Sequence, residues 1–583
     1  MKTEEIKVQF CVVGGGMAGL CAAVAAARRG VKTALVQDRP VLGGNASGEV
    51  RMWIRGAGQH FPLYREGGIV EELSMKNIRY NPTLSFGIWD GLLYDTAVSE
   101  PNLALLLNAS CMGAEERDHR VVSIDAWQLT TYKKLRIYAD YFADCSGDAV
   151  LSYFTSAKFT SGREEKSRYN EPDGVETADR ETMGNSCLIQ VRETAEKVPF
   201  TPPPFARKLT DAEFAFRMVG DEHWFKTDNF WWMELGGTRD CTKDAEKIKA
   251  ELLALAYGVW DYIKNSGKFD SDRWTLDWVS FLGGKRESRR YIGAYVLNEN
   301  DLLSARAFDD EVAYGGWSID DHNPLGFDSP LPPNRNIFVK RPYGIPYRCL
   351  YSANVENLFF AGRNVSVSHL ALSSTRVMAT CSLLGQAVGT ACALVAEKSA
   401  LPKNVDICAL KQALRDDDCY LLNTPRRLSA AMSGAQSSLS EEEKRIFASG
   451  IERKLGDGQY AVEREIGEPL EFTFDKTFVR EMRLVFDNDV AREYCKNPWS
   501  RSYPMKLNIS LADGQEMMPP SLVKAYRAEI CVNGEWRILS EERDNFRRLV
   551  KLPVNEQISG VRFTGLATYG ADKIRLLSVD VLQ

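Results

Sequence analysis

The sequence predicts an α/β domain that is interrupted by an α+β insert and followed by a C-terminal β-sandwich. Residues 10–29 read as a buried strand, a glycine-rich turn and an alanine-rich helix, the order of a βαβ unit. Residues 156–340 break this α/β rhythm and are rich in aromatic side chains. Beyond residue 460, six short segments alternate apolar and polar residues with period two, which is typical of a sandwich. These predicted strands are residues 470–474, 482–486, 506–511, 526–532, 560–564 and 574–581.

The first turn, Gly14-x-Gly16-x-x-Gly19, predicts a dinucleotide-binding loop. Gly14 lets the strand turn sharply, Gly16 leaves room for the backbone to approach a pyrophosphate, and Gly19 allows close packing of helix on sheet. A phosphate is then favoured at the helix N-terminus, because free N–H groups and the helix dipole attract anions. Met17 and Ala18 complete the predicted loop.

The residue after the second predicted strand, Lys32–Val36, is expected to bind the ribose hydroxyls of the adenosine half. Gln37 or its neighbour Asp38 takes this position, and the choice between them stays open. Arg39 follows as a further predicted cofactor contact, and then comes a second glycine-rich loop that resembles flavin-binding proteins more than nicotinamide dehydrogenases. The predicted contacts of this loop are Gly43, Gly44, Asn45, Ala46 and Ser47.

Two later segments strengthen this interpretation. Residues 140–148 read as a strand that ends in a Gly-Asp turn, and residues 357–362 read as a buried strand that ends at a glycine. A long apolar helix is expected to start near Leu370; in the flavin-binding proteins that the second loop resembles, the N-terminus of such a helix is directed at the flavin. The predicted cofactor contacts here are Ser146, Gly147, Asp148, Gly362, Arg363, Ser373 and Ser374; the two helical serines are equally expected to be plain capping residues.

The chain resembles the FAD-dependent oxidoreductase family with a glutathione-reductase-type FAD domain, related to fumarate reductase flavoproteins and the flavin subunit of heterodisulfide reductase. The resemblance covers roughly two thirds of the chain and implies a two-dinucleotide-binding, Rossmann-like FAD domain. FAD is expected to be noncovalent, although His60 leaves a covalent link as an alternative. The residues that carry the resemblance are Gly14–Gly19, Leu42–Asn45, Asp144–Asp148, Glu287–Gly293, Pro342–Arg348 and Asn357–Gly389.

The predicted organisation has five parts. In the first, the charged run Glu115–Arg120 is expected to be a turn between two strands, and in the fourth Ser440 is expected to cap a helix. The tryptophan-rich insert holds half of the chain's 12 tryptophans within residues 224–278, where core packing is the expected role for most and a sugar-binding cleft the alternative. The C-terminal part resembles galactose-binding-like modules, with packing expected rather than glycan binding. The boundaries are 1–155 for the first part of the FAD-binding domain, 156–340 for the substrate or cap domain, 341–400 for the closing part of the FAD-binding domain, 401–460 for a helical connector and 461–583 for the β-sandwich.

Composition excludes several classes of protein. A net charge of −6 and the lack of a basic stripe argue against nucleic-acid binding. The 13 cysteines include no Cys-x-x-Cys, so neither an iron–sulfur cluster, another metal site, nor a disulfide framework is expected. No segment of 18 uninterrupted apolar residues and no signal-like N-terminus occurs, so we expect a cytoplasmic protein without membrane insertion.

Flavin chemistry also needs a group that moves a proton, and the chain has five histidines. His369, just before the apolar helix, is the first candidate, and His322 is the second. Arg289 and Arg348 are candidates to bind a substrate carboxylate, with a structural ion pair as the alternative for arginines of this region. Arg290 is expected to pair with Glu287.

The leading functional prediction is hydride transfer between flavin N5 and a small polar substrate, such as a sugar or sugar acid. No second Gly-x-Gly-x-x-Gly follows residue 19, so an external electron donor or acceptor is expected. The alternatives are a reductase of an unsaturated carboxylate and a noncatalytic carbohydrate-binding or scaffold protein with a vestigial flavin domain. The substrate, the direction of reaction and the oligomeric state stay open.

Overall fold

A computed structural model describes residues 3–214, 217, 221–495, 503, 505, 506, 508–511 and 515–583. Contacts divide the chain into two compact units. The first unit comprises Met1–Gly56, Thr83–Leu410 and Met505–Gln515. The second comprises Ala57–Pro82, Lys411–Pro504 and Glu516–Gln583.

A parallel sheet of five strands forms the centre of the first unit, as predicted. Its spatial order is Leu358–Phe360, Tyr141–Asp144, Phe10–Val13, Thr33–Val36 and Leu103–Leu106. Every neighbouring pair is parallel, and the three middle strands are buried along their whole length. Parallel strands covered on both faces read as continuous apolar runs, which is why the sequence identified them.

The glycine loop leads into helix Met17–Arg28, which packs on helix Met378–Glu397. A Cβ on Gly385 would lie 2.0 Å from the Ala18 carbonyl oxygen, and one on Gly389 would lie 2.1 Å from that of Ala22. The backbones of the two helices therefore touch, which requires glycine at both positions. Met378–Glu397 is also long and apolar enough to cross a membrane, but 89% of its most apolar window is buried inside the protein, as in a core helix.

The expected single helix near Leu370 is in fact two helices, His369–Thr375 and Met378–Glu397. The expected charged turn Glu115–Arg120 is shorter than predicted, because strand Ala109–Arg117 covers its first half and strand Arg120–Gln128 begins at its last residue. The turn itself is Asp118 and His119, both with positive φ. A four-stranded sheet has the order Thr3–Lys7, Lys133–Tyr138, Arg120–Gln128 and Ala109–Arg117.

Residues 156–340 form short strands and one long helix, Ala245–Asn265, around an aromatic core. Trp224, Trp232, Trp260 and Trp274 are buried there, which confirms core packing as the role of most tryptophans of this region. The remaining helices of the first unit are Phe86–Val98, Lys166–Tyr169, Asp211–Phe214 and Glu299–Ser304. The remaining strands are Phe159–Thr160, Asn185–Ser186, Ile189–Glu193, Glu234–Leu235, Trp274–Val279, Gly284–Lys285, Arg290–Tyr291, Glu311–Gly315, Ile319–His322, Asn334–Ile337 and Tyr343–Pro346.

The second unit contains the predicted C-terminal β-structure, an antiparallel sandwich-like sheet around its own apolar core. Two predicted strands, 470–474 and 482–486, belong to one long strand. The expected strand 506–511 is not part of this sheet: Met505–Gln515 belongs by contacts to the first unit, where Ile509 forms an isolated bridge with Arg192, and Leu507 lies outside the described residues. The sheet order is Val462–Glu465, Lys573–Leu582, Pro469–Phe486, Leu549–Thr568, Val523–Val532 and Glu535–Glu542, with Gln436–Ser437 paired to the third.

Four further helices, each of 12 residues or fewer, complete the described α-helices and strands. Ser440 caps helix Glu441–Ser449 in a capping box with Glu443, as the sequence predicts for Ser440. The others are Ile69–Tyr80, Ile407–Asp416 and Ala430–Ser433. Residues 57–82, which the predicted domain boundaries place in the FAD-binding domain, belong by contacts to the second unit.

Candidate active site

Gly14 and Gly19 of the first glycine loop have no room for a side chain. Gly14 has a φ of +101°, and a Cβ on it would lie 2.5 Å from Ser146 Cα. A Cβ on Gly19 would lie 1.8 Å from the Gly14 carbonyl oxygen. The turn and the close packing expected from the sequence are therefore both built into the backbone.

The second glycine loop lies directly beside the first. Gly43 N–H donates to the Gly15 carbonyl oxygen at 2.8 Å, and Gly16 and Gly43 form a parallel bridge. A Cβ on Gly16 would meet only Gly44 Cα, at 3.9 Å. The space between the two loops is thus lined by backbone and would be filled by side chains at these glycines, as a pyrophosphate cradle requires.

Gln37 and Asp38 lie in different environments. Gln37 is buried; its Oε1 accepts from Gly15 N–H at 2.7 Å, and its Nε2 donates to the Val41 carbonyl oxygen at 3.1 Å. Asp38 is exposed and lies 3.7 Å from Arg39. Gln37 therefore ties the two glycine loops together, and the assignment of the ribose contact to Gln37 or Asp38 stays a prediction.

The Gly-Asp turn brings two cations to the same place. Asp148 pairs with Lys285 Nζ at 2.6 Å and with Arg363 Nη2 at 2.7 Å. Burial raises the pKa of Asp148, but these two cations outweigh burial and hold it well below its usual range. A Cβ on Gly147 would lie 2.5 Å from the Arg363 guanidinium, so the turn and Arg363 are in direct contact.

The residues present fit a bound dinucleotide. Arg363 Nε and Asn364 Oδ1 are buried without a hydrogen-bond partner next to Gly362, which has a φ of +109°. Asn45 of the second loop donates to the Lys285 carbonyl oxygen at 2.9 Å, and the Ala46 carbonyl oxygen accepts from Trp89. Ser47 is buried at the end of the same loop. The predicted cofactor segments thus converge, and buried polar atoms remain for a ligand to satisfy.

The two helical serines do not cap a helix. Ser368 caps helix His369–Thr375 by accepting from Ala371 N–H. Ser373 is inside the helix and donates to the His369 carbonyl oxygen at 3.1 Å, whereas Ser374 donates to the Trp317 carbonyl oxygen at 2.6 Å. The capping prediction for Ser373 and Ser374 is therefore wrong, because the helix begins earlier than expected.

His369 is buried between two carboxylates. Its Nδ1 lies 3.0 Å from Glu287, and its Nε2 lies 3.0 Å from Asp321. Burial lowers the pKa of His369, but Glu287 and Asp321 outweigh burial and raise it to about 10. Its backbone N–H donates to Glu164 at 2.9 Å, so a carboxylate already occupies this end of the helix. At neutral pH His369 is thus an imidazolium with both nitrogens engaged.

His322, at the end of strand Ile319–His322, also lies between two carboxylates. Its Nδ1 lies 2.7 Å from buried Glu234, and its Nε2 lies 3.2 Å from Asp320. The Trp231 ring meets it edge-on, with centroids 5.3 Å apart. Asp320 also accepts from Arg376 at 3.1 Å, and its side chain keeps 13% exposure.

One segment, residues 284–291, connects the FAD loops to both histidines. Lys285 meets Asp148, and Arg286 lies 3.2 Å from Glu234. Ser288 donates to Asp148 at 2.8 Å. Arg290 pairs with Glu164 at 2.6 Å and with Glu287, which confirms the expected ion pair. The charged cluster is therefore contiguous with the cofactor loops.

Arg289 and Arg348 lie apart from this cluster. Arg289 lies over the rings of Tyr153 and Phe159 and donates to Ser152. Arg348 is half-exposed and makes a bidentate ion pair with Asp310, at 2.9 and 3.0 Å. For Arg348 the structure shows the ion-pair alternative, since its guanidinium already binds a carboxylate.

Sequence reasoning missed most of the acidic partners of the histidines. Glu234 and Glu287 are far apart in the chain, and nothing in their local sequence indicates that they meet a histidine. Two signals were visible: the charge-dense run 285–290, and the strand Ile319–His322 with three titratable side chains in succession. Runs of this density are unusual in buried strands, where unpaired charge is costly.

Loops and sheet together define a flavoprotein, and the comparison with known families agrees. The model of the FAD dependent oxidoreductase family matches residues 9–414. The chain belongs to this family. It is therefore an FAD-dependent enzyme, with FAD as its cofactor.

Similar solved structures include flavoproteins and a carbohydrate-binding module. Quinol fumarate reductase FrdA of E. coli is 13% identical, with 72% of this chain and 74% of that chain covered and a TM-score of 0.26. p-Nitrophenol 4-monooxygenase PnpA of Pseudomonas putida DLL-E4 is 10% identical, with 71% and 85% covered and a TM-score of 0.30.

The carbohydrate-binding similarity is to the family 32 module of Streptococcus pneumoniae EndoD, which is 12% identical over 27% of this chain and 99% of the module, with a TM-score of 0.20. At such TM-scores these similarities carry no argument about the site. A comparison with curated protein sequences finds no match.

Proposed function

We propose that this enzyme oxidises a hydroxyl-bearing carbon of a small polar substrate, a sugar or sugar acid, with noncovalent FAD. Bound FAD supplies the hydride acceptor at N5. The chain's residues then have to hold the substrate and accept the hydroxyl proton.

The observation that carries this proposal is the buried cluster contiguous with the FAD loops, in which two histidines each lie between two carboxylates. Asp320 and Asp321 keep 13% and 18% side-chain exposure, so carboxylate oxygens form its accessible edge. Carboxylates accept hydrogen bonds from hydroxyl groups. The partly exposed ring of Trp231 beside His322 offers an apolar face to sugar C–H groups.

The two histidines take different roles in this proposal. His322 and Asp320 form the proposed proton-accepting pair. The accessible Asp320 carboxylate receives the substrate proton, and His322, oriented through Nδ1 by Glu234, holds that carboxylate at 3.2 Å from its Nε2. His369 carries both protons at neutral pH and is not a base, which revises the order expected from the sequence. It is a positioning cation that fixes Asp321 and Glu287.

Reduction of an unsaturated carboxylate is less well supported. Such a substrate needs a cation that is free to bind a carboxylate. Arg286, Arg290 and Arg376 each pair with carboxylates of the cluster. A substrate carboxylate would therefore have to compete with the carboxylates that already pair with these three arginines. The vestigial-domain alternative loses support because the glycine cradle and the family match are intact.

The remaining features of the proposal follow from the sequence. Electrons leave to an external acceptor, since no second dinucleotide fingerprint is present. We propose a cytoplasmic enzyme that neither inserts into a membrane nor binds nucleic acid, consistent with the acidic composition and with the burial of helix Met378–Glu397.

The substrate class is tested by following the flavin absorbance near ~450 nm without oxygen. Sugars, sugar acids and alcohols are added to the oxidised protein, and unsaturated acids to protein reduced beforehand. We expect bleaching by a polyhydroxy compound and no reoxidation by the acids. Reoxidation by an unsaturated acid, with no bleaching by any hydroxyl compound, would establish the reductase instead.

A further inference from the structure

A groove of about 650 Å³ lies in the first unit, outside the FAD loops and the histidine cluster. It is built by residues 152–160, helix Lys166–Tyr169 and residues 292–296, and no residue of the cofactor loops lines it. Its volume is within the range of small-molecule sites. Its lining includes Ser152, Lys158, Phe159, Arg168, Tyr169 and Ile292.

Three cations at this groove have no carboxylate partner among the described residues: Lys158, Arg168 and Arg289. Lys158 and Arg168 are exposed at its rim. Arg289 contacts two lining residues, since it donates to Ser152 and lies 4.2 Å from the Phe159 ring centroid. In a chain with a net charge of −6, three unmatched cations in one place form a local positive potential.

Aromatic rings accompany these cations. The Arg289 guanidinium lies 3.5 Å from the Tyr153 ring centroid as well as 4.2 Å from that of Phe159. Phe159, which lines the groove, is 41% exposed, which leaves ring surface for a ligand. Tyr169 and Ile292 add half-buried apolar surface to the groove. A flat ring can therefore stack while an anionic group meets the cations.

One carboxylate limits where the anion can lie. Glu116 accepts from Ser156 N–H at 2.6 Å and from its hydroxyl, so the Ser156 end of the groove is acidic. Lys158 and Arg168 are then the expected neighbours of an anion.

We propose that this groove is a second binding site, for a flat aromatic ring that carries a phosphate or carboxylate group. It is independent of the substrate chemistry proposed above, because none of its lining residues belongs to that site. The same chemistry is offered by a nucleotide and by an aromatic acid. The test below distinguishes these two sources.

Isothermal titration calorimetry is done on the FAD-loaded protein, so that a nucleotide cannot enter the adenosine part of the FAD site. The probes are AMP, adenosine, inorganic phosphate and 4-hydroxybenzoate. The test variant is Lys158→Gln combined with Arg168→Gln, and Phe159→Leu tests the ring. Lys166→Gln, an exposed lysine of the same short helix that does not line the groove, is the matched control.

We expect one AMP or one 4-hydroxybenzoate per chain with a Kd below ~1 mM, at least ~10-fold tighter than adenosine or phosphate alone. Whichever binds more tightly identifies the phosphate or the carboxylate source. The double variant and Phe159→Leu should each weaken this binding by ~10-fold or more, and Lys166→Gln should not. The proposal is overturned if neither ring anion binds saturably, or if the double variant binds as the wild type does.

Discussion

Gln37 is a single side chain that holds two parts of the cofactor site in place. Its amide bonds Gly15 and Val41, so it connects the first glycine loop to the second. The motif spacing predicts that a polar residue ends this strand next to the cofactor. The spacing does not reveal that both amide atoms are engaged by backbone, since that depends on how the second loop folds back.

His369 shows a similar limit at the residue scale. Its position before an apolar helix predicts a place near the flavin, but its protonation is decided by Glu287 and Asp321, which are distant in sequence. A proton-transfer role near neutral pH was a reasonable expectation for a lone histidine. Buried Glu287 and partly exposed Asp321 make it a fixed cation instead.

The pH dependence of stability tests this state of His369. Its pKa rises from 6.5 to about 10 on folding, so its contribution is complete below pH ~6.5 and is lost as the pH rises through about 10. His369→Asn removes one cation from Glu287, which keeps Arg290, and from the partly exposed Asp321, so we expect a cost of about 1.5–3 kcal/mol at pH 6. Calorimetric melting at pH 6, 8 and 10 should show this difference shrinking as the pH rises.

The control is His119→Asn, because His119 is 75% exposed in a turn with positive φ, where asparagine is tolerated. It should melt like the wild type at each pH. A His369→Asn deficit that stays constant from pH 6 to 10 would show that His369 is not held as an imidazolium.

At the scale of elements, the close contact between helices Met17–Arg28 and Met378–Glu397 fixes the position of the helix that follows the glycine loop. Gly385→Ala would place a Cβ 2.0 Å from the Ala18 carbonyl oxygen, so the helices must separate. We expect a loss of about 1–3 kcal/mol in unfolding free energy and weaker FAD binding, because Ala18 belongs to the cofactor loop. Melting and FAD titration measure both effects.

Gly91→Ala provides the matched comparison. Gly91 is also inside a helix, Phe86–Val98, but a Cβ on it would meet nothing within 4 Å. Alanine should stabilise the protein there by up to ~1 kcal/mol, since it favours helix. Equal stability of the Gly385→Ala variant and the wild type would contradict the close helix contact.

Element prediction succeeded where burial alone decides the pattern. The buried strands Phe10–Val13, Tyr141–Asp144 and Leu358–Phe360 were predicted because they read as apolar runs next to glycine turns. The break between His369–Thr375 and Met378–Glu397 was missed, because Arg376 and Val377 carry no glycine or proline signal. Charge alone also made the predicted turn at 115–120 too long, since a half-exposed strand tolerates charged residues.

At the scale of the whole molecule, the order of motifs along the chain predicts the parallel sheet and the convergence of its loops. That reasoning works because the carboxyl ends of parallel strands meet at one edge. It could not place residues 57–82 in the second unit, nor bring Glu234, Glu287, Asp320 and Asp321 to the histidines. Both depend on tertiary contacts between segments with no shared local pattern.

The central claim is that the cluster around His322 moves the proton during flavin reduction, and one measurement tests it most directly. Wild type, His322→Asn and the His119→Asn control, each checked for equal FAD content, are mixed rapidly without oxygen with the hydroxyl compound that bleaches the flavin. We predict a ~10²-fold lower rate constant for flavin bleaching in His322→Asn and no change in His119→Asn. Equal rate constants in all three proteins would contradict the proposed role of His322.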